Sequence, residues 1–145
     1  NGNSGKLVTE VKNNLKLHAA HAELAIIDGS PGIGCPVIAS LSGVDMVLIV
    51  AEPSLSGISD MERILKTAAN FQVKSAVCVN KYDTNLEKTQ MIETMCNEQN
   101  LAFVGKIPYD SQAIAAVNEG HSIIDIDCAA GQATKTVFRE VLNIL

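Results

Sequence analysis

The sequence predicts an α/β protein, a three-layer fold in which a mostly parallel sheet carries helices on both faces. Two observations indicate this class. Short apolar runs alternate along the chain with longer segments of helical period, and the first run is apolar on both faces, as buried parallel strands are. No repeat or low-complexity linker interrupts the alternation over the 145 residues, so residues 1–145 are expected to form one domain.

The first third of the chain predicts a helix, a strand and a short helix. The first helix should start near Ser4 and bury one stripe. That stripe consists of Leu7, Val11, Leu15 and His18. Residues 24–28 read as a central strand, and the glycines and proline at 29–34 predict a turn. A short helix then covers 36–41, with Pro36 in its first turn.

Three more strand-to-helix units follow. The strands are predicted at 46–51, 75–79 and 101–107. Helices are predicted at 54–71, 85–99 and 131–145, and a further helix follows residues 108–110 and stops at Gly120. Ser54 or Ser56 is expected to cap the helix over 54–71, and Gly120 is a natural C-terminal cap. Residues 121–125 are expected to add a short edge segment.

Composition excludes several classes of protein. The chain is 47% hydrophobic and 19% charged, which excludes a disordered chain, and its net charge of -5 with scattered Lys and Arg argues against a nucleic-acid surface. Cys78 and Cys96 lie on apolar periods and are expected in the core, whereas Cys35 lies beside a glycine-rich loop. Unpaired thiols and the lack of a transmembrane-length run predict a cytoplasmic protein without stable membrane insertion.

The ends of the predicted strands carry the candidate site. Ligands of open parallel sheets bind outside the carboxyl ends of the strands, where this chain has Asp28, Glu52, Asn80 and residues 108–110. An aspartate after an apolar strand, followed by Pro31-Gly32, is suited to holding the water shell of Mg²⁺ in a nucleotide hydrolase. Taken alone, Asp28 fits a helix cap in a tight turn equally well.

Two further motifs are consistent with a nucleotide base. Asn80-Lys81-Tyr82-Asp83 fits the N-K-x-D pattern, because an amide offers a donor and an acceptor to a purine ring, although Asn and Asp are common in turns. In Pro108-Tyr109-Asp110, the proline constrains a backbone that can face a base, and Asp110 is also suited to capping the next helix.

The stretch from Gly2 to Leu7 is superficially similar to a phosphate-binding loop but does not match its motif. It lacks the spacing between the glycines, the hydroxyl after the lysine and the preceding strand that G-x-x-x-x-G-K-[ST] requires. Lys6 is therefore expected to be an exposed residue in the first turn of a helix.

Together, these motifs resemble the MinD/ParA/Mrp family of P-loop ATPases in order and spacing, over nearly the whole chain. They are residues 25–32, 50–53, 79–83 and 107–110, with Gly120 ten residues after the last. The likeness is greatest to members with an inserted ferredoxin domain, whose second half opens with a stretch similar to residues 3–8. The resemblance implies that this chain is the C-terminal half of such a nucleotide-binding domain.

The resemblance also implies the roles of individual residues. Asp28 would be the Walker B aspartate and the Mg²⁺ residue, and Gly32 would belong to the loop that senses the γ-phosphate. Asn80 would hydrogen-bond adenine, and Glu52 would lie near the nucleotide-dependent dimer face. The expected catalytic residues are Asp28 and Gly32, and the expected cofactor-binding residues are Glu52, Asn80, Asp83, Pro108, Tyr109 and Asp110.

The implied cofactors are ATP and Mg²⁺, with an iron-sulfur cluster expected only in an N-terminal half that also supplies the phosphate loop. ATPase activity is accordingly expected of the intact protein rather than of this chain alone. In this class of fold the phosphate-loop strand lies between strands 24–28 and 46–51. Without it these strands must pair directly, stay apart or be completed by another chain, so self-association into a homo-oligomer is expected.

Two alternatives remain open at this point. N-K-x-D with Asp83 also fits a GTPase, in which the carboxylate would select guanine, but such proteins generally have a Ser-Ala-Lys-like turn where this chain has Ile107-Pro108-Tyr109-Asp110. The other alternative is a non-enzymatic α/β binding module with a degenerate pocket, because phosphate contacts supply most of the nucleotide affinity of P-loop proteins.

Overall fold

A computed structural model describes residues 3–19, 21–29 and 35–145. Its strands are β1 (Met46–Ala51), β2 (Lys74–Asn80) and β3 (Ala102–Ile107). Its helices are α1 (Asn3–His18), α2 (Cys35–Leu41), α3 (Leu55–Asn70), α4 (Leu86–Glu98), α5 (Ser111–Asn118) and α6 (Ala129–Ile144), with a 3₁₀ turn at Tyr82–Thr84. The strands and helices predicted from residue 46 onward are confirmed to within a few residues, and Ser54 is the cap of α3.

The sheet is parallel, with the strand order β1-β2-β3. Met46 pairs with Lys74 at the start of β1, and Ala51 pairs with Val79 at its end. Asn80 pairs with Ile107, so β2 and β3 end side by side. The chain after each strand therefore leaves the sheet at one shared edge, which confirms the predicted α/β class and brings the strand-end residues together.

Both faces of the sheet are covered by helices. On one face, side chains of β1 and β2 pack against α3 and α4; the buried residues there are Ile49, Ala51, Ile58, Met61, Val77, Val79, Ile92 and Cys96. On the other face, α6 covers β2 and β3; the buried residues there are Ala76, Cys78, Val104 and Val137. Cys78 and Cys96 are core residues, as predicted, with exposed fractions of 1% and 0%.

Close packing of α6 on β3 depends on Gly105. Its φ of +145° belongs to a region that side chains rarely adopt, and a Cβ placed there would lie 2.9 Å from Cγ2 of Val137. The register between β2 and β3 is irregular at this place, between Val77 and Cys78. Glycine thus satisfies both the backbone conformation and the short distance between the two elements.

The predicted strand at 24–28 is wrong. These residues form no strand, and Ile26 is 80% exposed. Within the described residues the outer edge of β1 is unpaired, but residues 24–28 form no ladder with it. An apolar run was therefore insufficient to form a strand here. Residues 121–125 likewise form no edge strand; they turn, with the Asp125 N–H bonded to the Ser122 carbonyl.

The predicted buried stripe of α1 is also wrong. Leu7 and Val11 are 61% and 52% exposed, and His18 is exposed, with Nδ1 bonded to the carbonyl of Asn14 in its own helix. The helix contacts α2 through Lys12. The Lys12 ammonium group donates to the carbonyl of Ser40 in the last turn of α2 and to that of Ser42 just after it, each at 2.7 Å. Helical period identified α1 correctly but not the side that packs. Lys6 is exposed, as expected.

Candidate functional site

The candidate site lies at the carboxyl edge of the sheet, where three of the predicted groups meet. Glu52 follows β1 directly, Asn80 is the last residue of β2, and Pro108 begins the loop after β3. Hydrogen bonds and one ion pair join these chain segments to one another. The edge is therefore a connected surface rather than three independent loops.

Glu52 and Lys81 link the ends of β1 and β2. The Lys81 ammonium lies 3.4 Å from Oε1 of Glu52, and both side chains are about half exposed, at 44% and 59%. Such an exposed pair contributes little to stability. Lys81 itself has a left-handed backbone, with φ of 52° and ψ of 43°, and its N–H donates to Oδ1 of Asn80 at 3.0 Å. That bond orients the Asn80 amide at the strand end.

Asp83 links the end of β2 to the loop after β3. Its Oδ1 accepts the backbone N–H of Tyr109 at 2.8 Å, across 26 residues of sequence. Asp83 is placed for this contact by the 3₁₀ turn, which is held by Thr84 and Thr89. Their hydroxyls donate to the carbonyls of Lys81 at 2.7 Å and Tyr82 at 2.8 Å. The N-K-x-D segment and the Pro-Tyr-Asp segment are thus physically joined.

Asp110 caps two helices with one carboxylate. Its Oδ1 accepts the N–H of Gln112 in the first turn of α5 at 2.9 Å, and its Oδ2 accepts the N–H of Ala130 at the start of α6 at 3.0 Å. These hydrogen bonds stabilise the ionised carboxylate and hold the pKa of Asp110 below its usual value, and the bond from Ala130 has the largest effect. The predicted capping role of Asp110 is confirmed, and the link to α6 is additional.

Sequence reasoning missed the contribution of α6. Cys128 is its N-cap: the buried sulfur accepts the N–H of Gly131 at 3.3 Å. Cysteine is not among the preferred caps, so no local signal marked it. Between α5 and α6 lies an open cavity of about 470 Å³ whose walls include Tyr109, Asp110, Gln112, Asp127 and Gln132. It adjoins the Pro108 loop and extends the surface at this edge.

The two residues expected at the phosphate end are not brought to this edge by any described contact. Asp28 is exposed in the segment that forms no strand, and Gly32 lies outside the described residues. Within the described ranges, no group of three or more His, Cys, Asp or Glu side chains is placed to hold a metal ion.

Asn80 and Tyr109 are held in place at this edge of the sheet. Asn80 is half-buried, its Oδ1 is held by Lys81, and no described group accepts a hydrogen bond from its Nδ2. Tyr109 is 51% exposed although its backbone is held by Asp83. An oriented amide beside a constrained loop is a chemical arrangement that can recognise a planar ring bearing donors and acceptors.

No helix among the described residues has both the length and the apolar character needed to cross a membrane.

Several known proteins are similar in sequence to this chain. A protein of Methanocaldococcus jannaschii without a characterised function is 40% identical over 82 residues, which are 57% of this chain and 29% of that protein. The septum site-determining protein MinD of Escherichia coli is 27% identical over 149 aligned positions, covering 94% of this chain and 54% of MinD. MinD of Helicobacter pylori is 23% identical, covering 86% of this chain and 50% of that protein.

Among solved structures, the MinD cell division protein of Aquifex aeolicus superposes with a TM-score of 0.73 at 22% identity, over 97% of this chain and 59% of that one. This likeness shows a shared fold. The chain spans about half the length of the MinD relatives that it matches. Residues 2–123 match the family described as the CobQ/CobB/MinD/ParA nucleotide binding domain, and the chain belongs to that family.

Proposed function

We propose that this chain is the base-binding, C-terminal part of a MinD/ParA-like ATPase and that it recognises the adenine of ATP at the carboxyl edge of its sheet. The observation that carries the proposal is the joining of the two base-side motifs. Asp83 holds the backbone of Tyr109 at 2.8 Å, so Asn80 and the Pro108 loop lie on one constrained surface. Nucleotide binding is the property after which the family is named.

Adenine is favoured over guanine by the use of the Asp83 carboxylate. A guanine-reading aspartate must accept from the ring N–H and the exocyclic amino group together. Here one of its oxygens already accepts the Tyr109 N–H. Asn80, in contrast, has a donor available in Nδ2, which suits a ring nitrogen of adenine. Pro108 would add backbone and ring contacts on the other side of the base.

The phosphate end would be completed by parts of the intact protein. In the proposal, Asp28 and Gly32 would lie near the γ-phosphate and the water shell of Mg²⁺ in the intact protein. Bound Mg²⁺ would neutralise charge on the β- and γ-phosphates. This part of the proposal is supported by coverage, because the chain matches only about half the length of MinD. The resemblance implies a dimer that forms around nucleotide, and Glu52 would lie near that interface.

A finer proposal concerns the intact protein. Residues 3–8 resemble the opening of the second half of members that carry an inserted ferredoxin domain. We therefore propose that ATP binding there is coupled to iron-sulfur or electron-transfer chemistry in the cytoplasm. Visible absorption of the full-length protein that bleaches on reduction would test this independently of nucleotide binding. A colourless full-length protein after anaerobic reconstitution with iron and sulfide would overturn it.

The experiment for the base site is calorimetric titration of the protein with ATP-Mg and with GTP-Mg. We expect ATP to bind more tightly than GTP, and Asn80→Ala to weaken ATP binding by about tenfold, the effect of losing one or two hydrogen bonds. Asn97→Ala is the matched control, because Asn97 is an exposed asparagine at the C-terminal end of α4 and not at the carboxyl edge of the sheet. A preference for GTP would defeat the adenine assignment, and a lack of binding to either nucleotide by the full-length protein would favour a non-enzymatic module.

A further inference from the structure

We infer that Asp83 is a positioning residue that sets where the Pro108–Asp110 loop lies at the base site and that it does not read the base itself. The inference rests on the proposed function, since it concerns the same site. It changes the role of the last residue of the N-K-x-D motif. In that motif a carboxylate is suited to guanine, whereas here it acts on the protein backbone.

The first argument is where the strand pairing ends. The ladder between β2 and β3 finishes at the pair of Asn80 and Ile107. The backbone groups of residues 108–110 have no strand to pair with, and the Tyr109 N–H would face solvent. Asp83 accepts that N–H at 2.8 Å, which continues the connection between the two chains by one side chain. The loop is thereby held against the end of β2.

The second argument is that the other side of the same loop is held as well. Asp110 accepts N–H groups from Gln112 and Ala130, at 2.9 and 3.0 Å. Two carboxylates on either side of Tyr109 therefore hold its backbone, whereas its side chain stays 51% exposed. A constrained backbone with an accessible side chain is a preorganised binding surface, since little conformational freedom is lost when a ligand arrives.

The third argument comes from the acceptors that each role needs. Holding the Tyr109 N–H requires one oxygen, and a neutral amide oxygen is sufficient. Reading guanine requires two acceptors on the same group, which an asparagine lacks because one of its terminal atoms is a donor. Asp83→Asn therefore preserves a positioning role and removes a base-reading role. Asp83→Ala removes both.

The test compares Asp83→Asn and Asp83→Ala by two measurements. The first is the amide exchange rate of Tyr109 by NMR without nucleotide, and the second is the affinity for ATP-Mg and GTP-Mg. We expect Asp83→Ala to raise the Tyr109 exchange rate and to weaken ATP binding, each by about tenfold. We expect Asp83→Asn to change each by less than about threefold and to leave the preference for ATP unaltered.

Asp45→Ala and Asp45→Asn are the matched controls, because Asp45 is an exposed aspartate at the opposite end of the sheet, just before β1. The inference is overturned if Asp83→Asn weakens ATP binding as much as Asp83→Ala does, or if Asp83→Ala leaves the Tyr109 exchange rate unchanged. If the wild-type protein binds no nucleotide, the proposed function fails by itself. The exchange measurement then still decides whether Asp83 holds the loop.

Discussion

Asp110 and Ala130 are joined by a hydrogen bond of 3.0 Å between Oδ2 and the backbone N–H. The same carboxylate caps α5 through Gln112, so one side chain sets the starting points of two consecutive helices. Because both bonds favour the ionised form, the pKa of Asp110 is lowered from its ordinary value of 3.8. The link between β3, α5 and α6 therefore depends on pH.

Acid is expected to weaken this link. An aspartate whose pKa is lowered by folding stabilises the folded state fully above its ordinary pKa, and the contribution is lost as the pH falls through the lower, folded-state pKa. We expect Asp110→Ala to lower the melting temperature at pH 7 by about 3 °C, the effect of losing a helix cap. The difference from wild type should shrink as the pH falls through the ordinary aspartate pKa of 3.8 and below it. Thermal unfolding followed by circular dichroism measures the melting temperature of both proteins at each pH.

Asp125→Ala is the control for this pH series, since Asp125 is an exposed aspartate in the loop before α6. Its melting temperature should stay near that of wild type throughout. A constant difference between Asp110→Ala and wild type from neutral to acid pH would contradict the role of the ionised carboxylate.

Gly105 is expected to tolerate alanine poorly. An added Cβ meets Cγ2 of Val137 at 2.9 Å and adopts an unfavourable φ of +145°. We expect Gly105→Ala to lower the free energy of unfolding by about 2 kcal/mol. In a Val137→Ala background the contact is relieved and only the backbone cost remains, so the same change should cost about 1 kcal/mol. Urea unfolding of the four proteins measures both values.

Gly120 provides the matched control for the backbone term. It also has a positive φ, of +80°, but nothing lies within 4 Å of the added Cβ. Gly120→Ala should therefore cost about 1 kcal/mol whether or not Val137 is replaced. Equal costs for Gly105→Ala with and without Val137 would show that packing against α6 is not the reason for this glycine.

The core thiols are expected to be unreactive in the folded protein. Burial raises the pKa of Cys78 to about 11, and burial together with the nearby Glu93 carboxylate raises the pKa of Cys96. At pH 8 only about one Cys78 in a thousand is then a thiolate, the form that reacts. We expect iodoacetamide to label both cysteines at least about 100-fold more slowly in buffer than in urea. Peptide mass spectrometry measures the rates, and rapid labelling in buffer would contradict the buried placement.

The outer edge of β1 is expected to promote self-association. Within the described residues no strand pairs with it, and Leu48 and Val50 on one face are 37% and 55% exposed. A charge on such a face opposes edge-to-edge pairing. We expect Val50→Lys to raise by about tenfold the protein concentration at which light scattering detects oligomers.

Val117→Lys is the control for this experiment, because Val117 is 60% exposed but lies on α5. It should leave association unchanged. A wild-type chain that stays monomeric at all concentrations, or an equal effect of both variants, would contradict an interface at β1.

Local patterns determined most of the fold. The apolar runs at 46–51, 75–79 and 101–107 became β1, β2 and β3, because each was long enough, β-branched and separated by a helix that returns the chain in parallel. Parallel connection alone also predicted that Glu52, Asn80 and Pro108 would share an edge, since all strands of such a sheet end on the same side.

Tertiary structure decided what depends on a partner far away in the sequence. The run at 24–28 is apolar, as β1 is, but a strand also needs backbone pairing, and this run does not pair with the open edge of β1. The period of α1 likewise could not reveal that Leu7 and Val11 stay exposed. The sequence identified Asp83 and Tyr109 separately as candidate site residues. Their hydrogen bond spans 26 residues, and it forms only because the sheet brings the ends of β2 and β3 to the same edge.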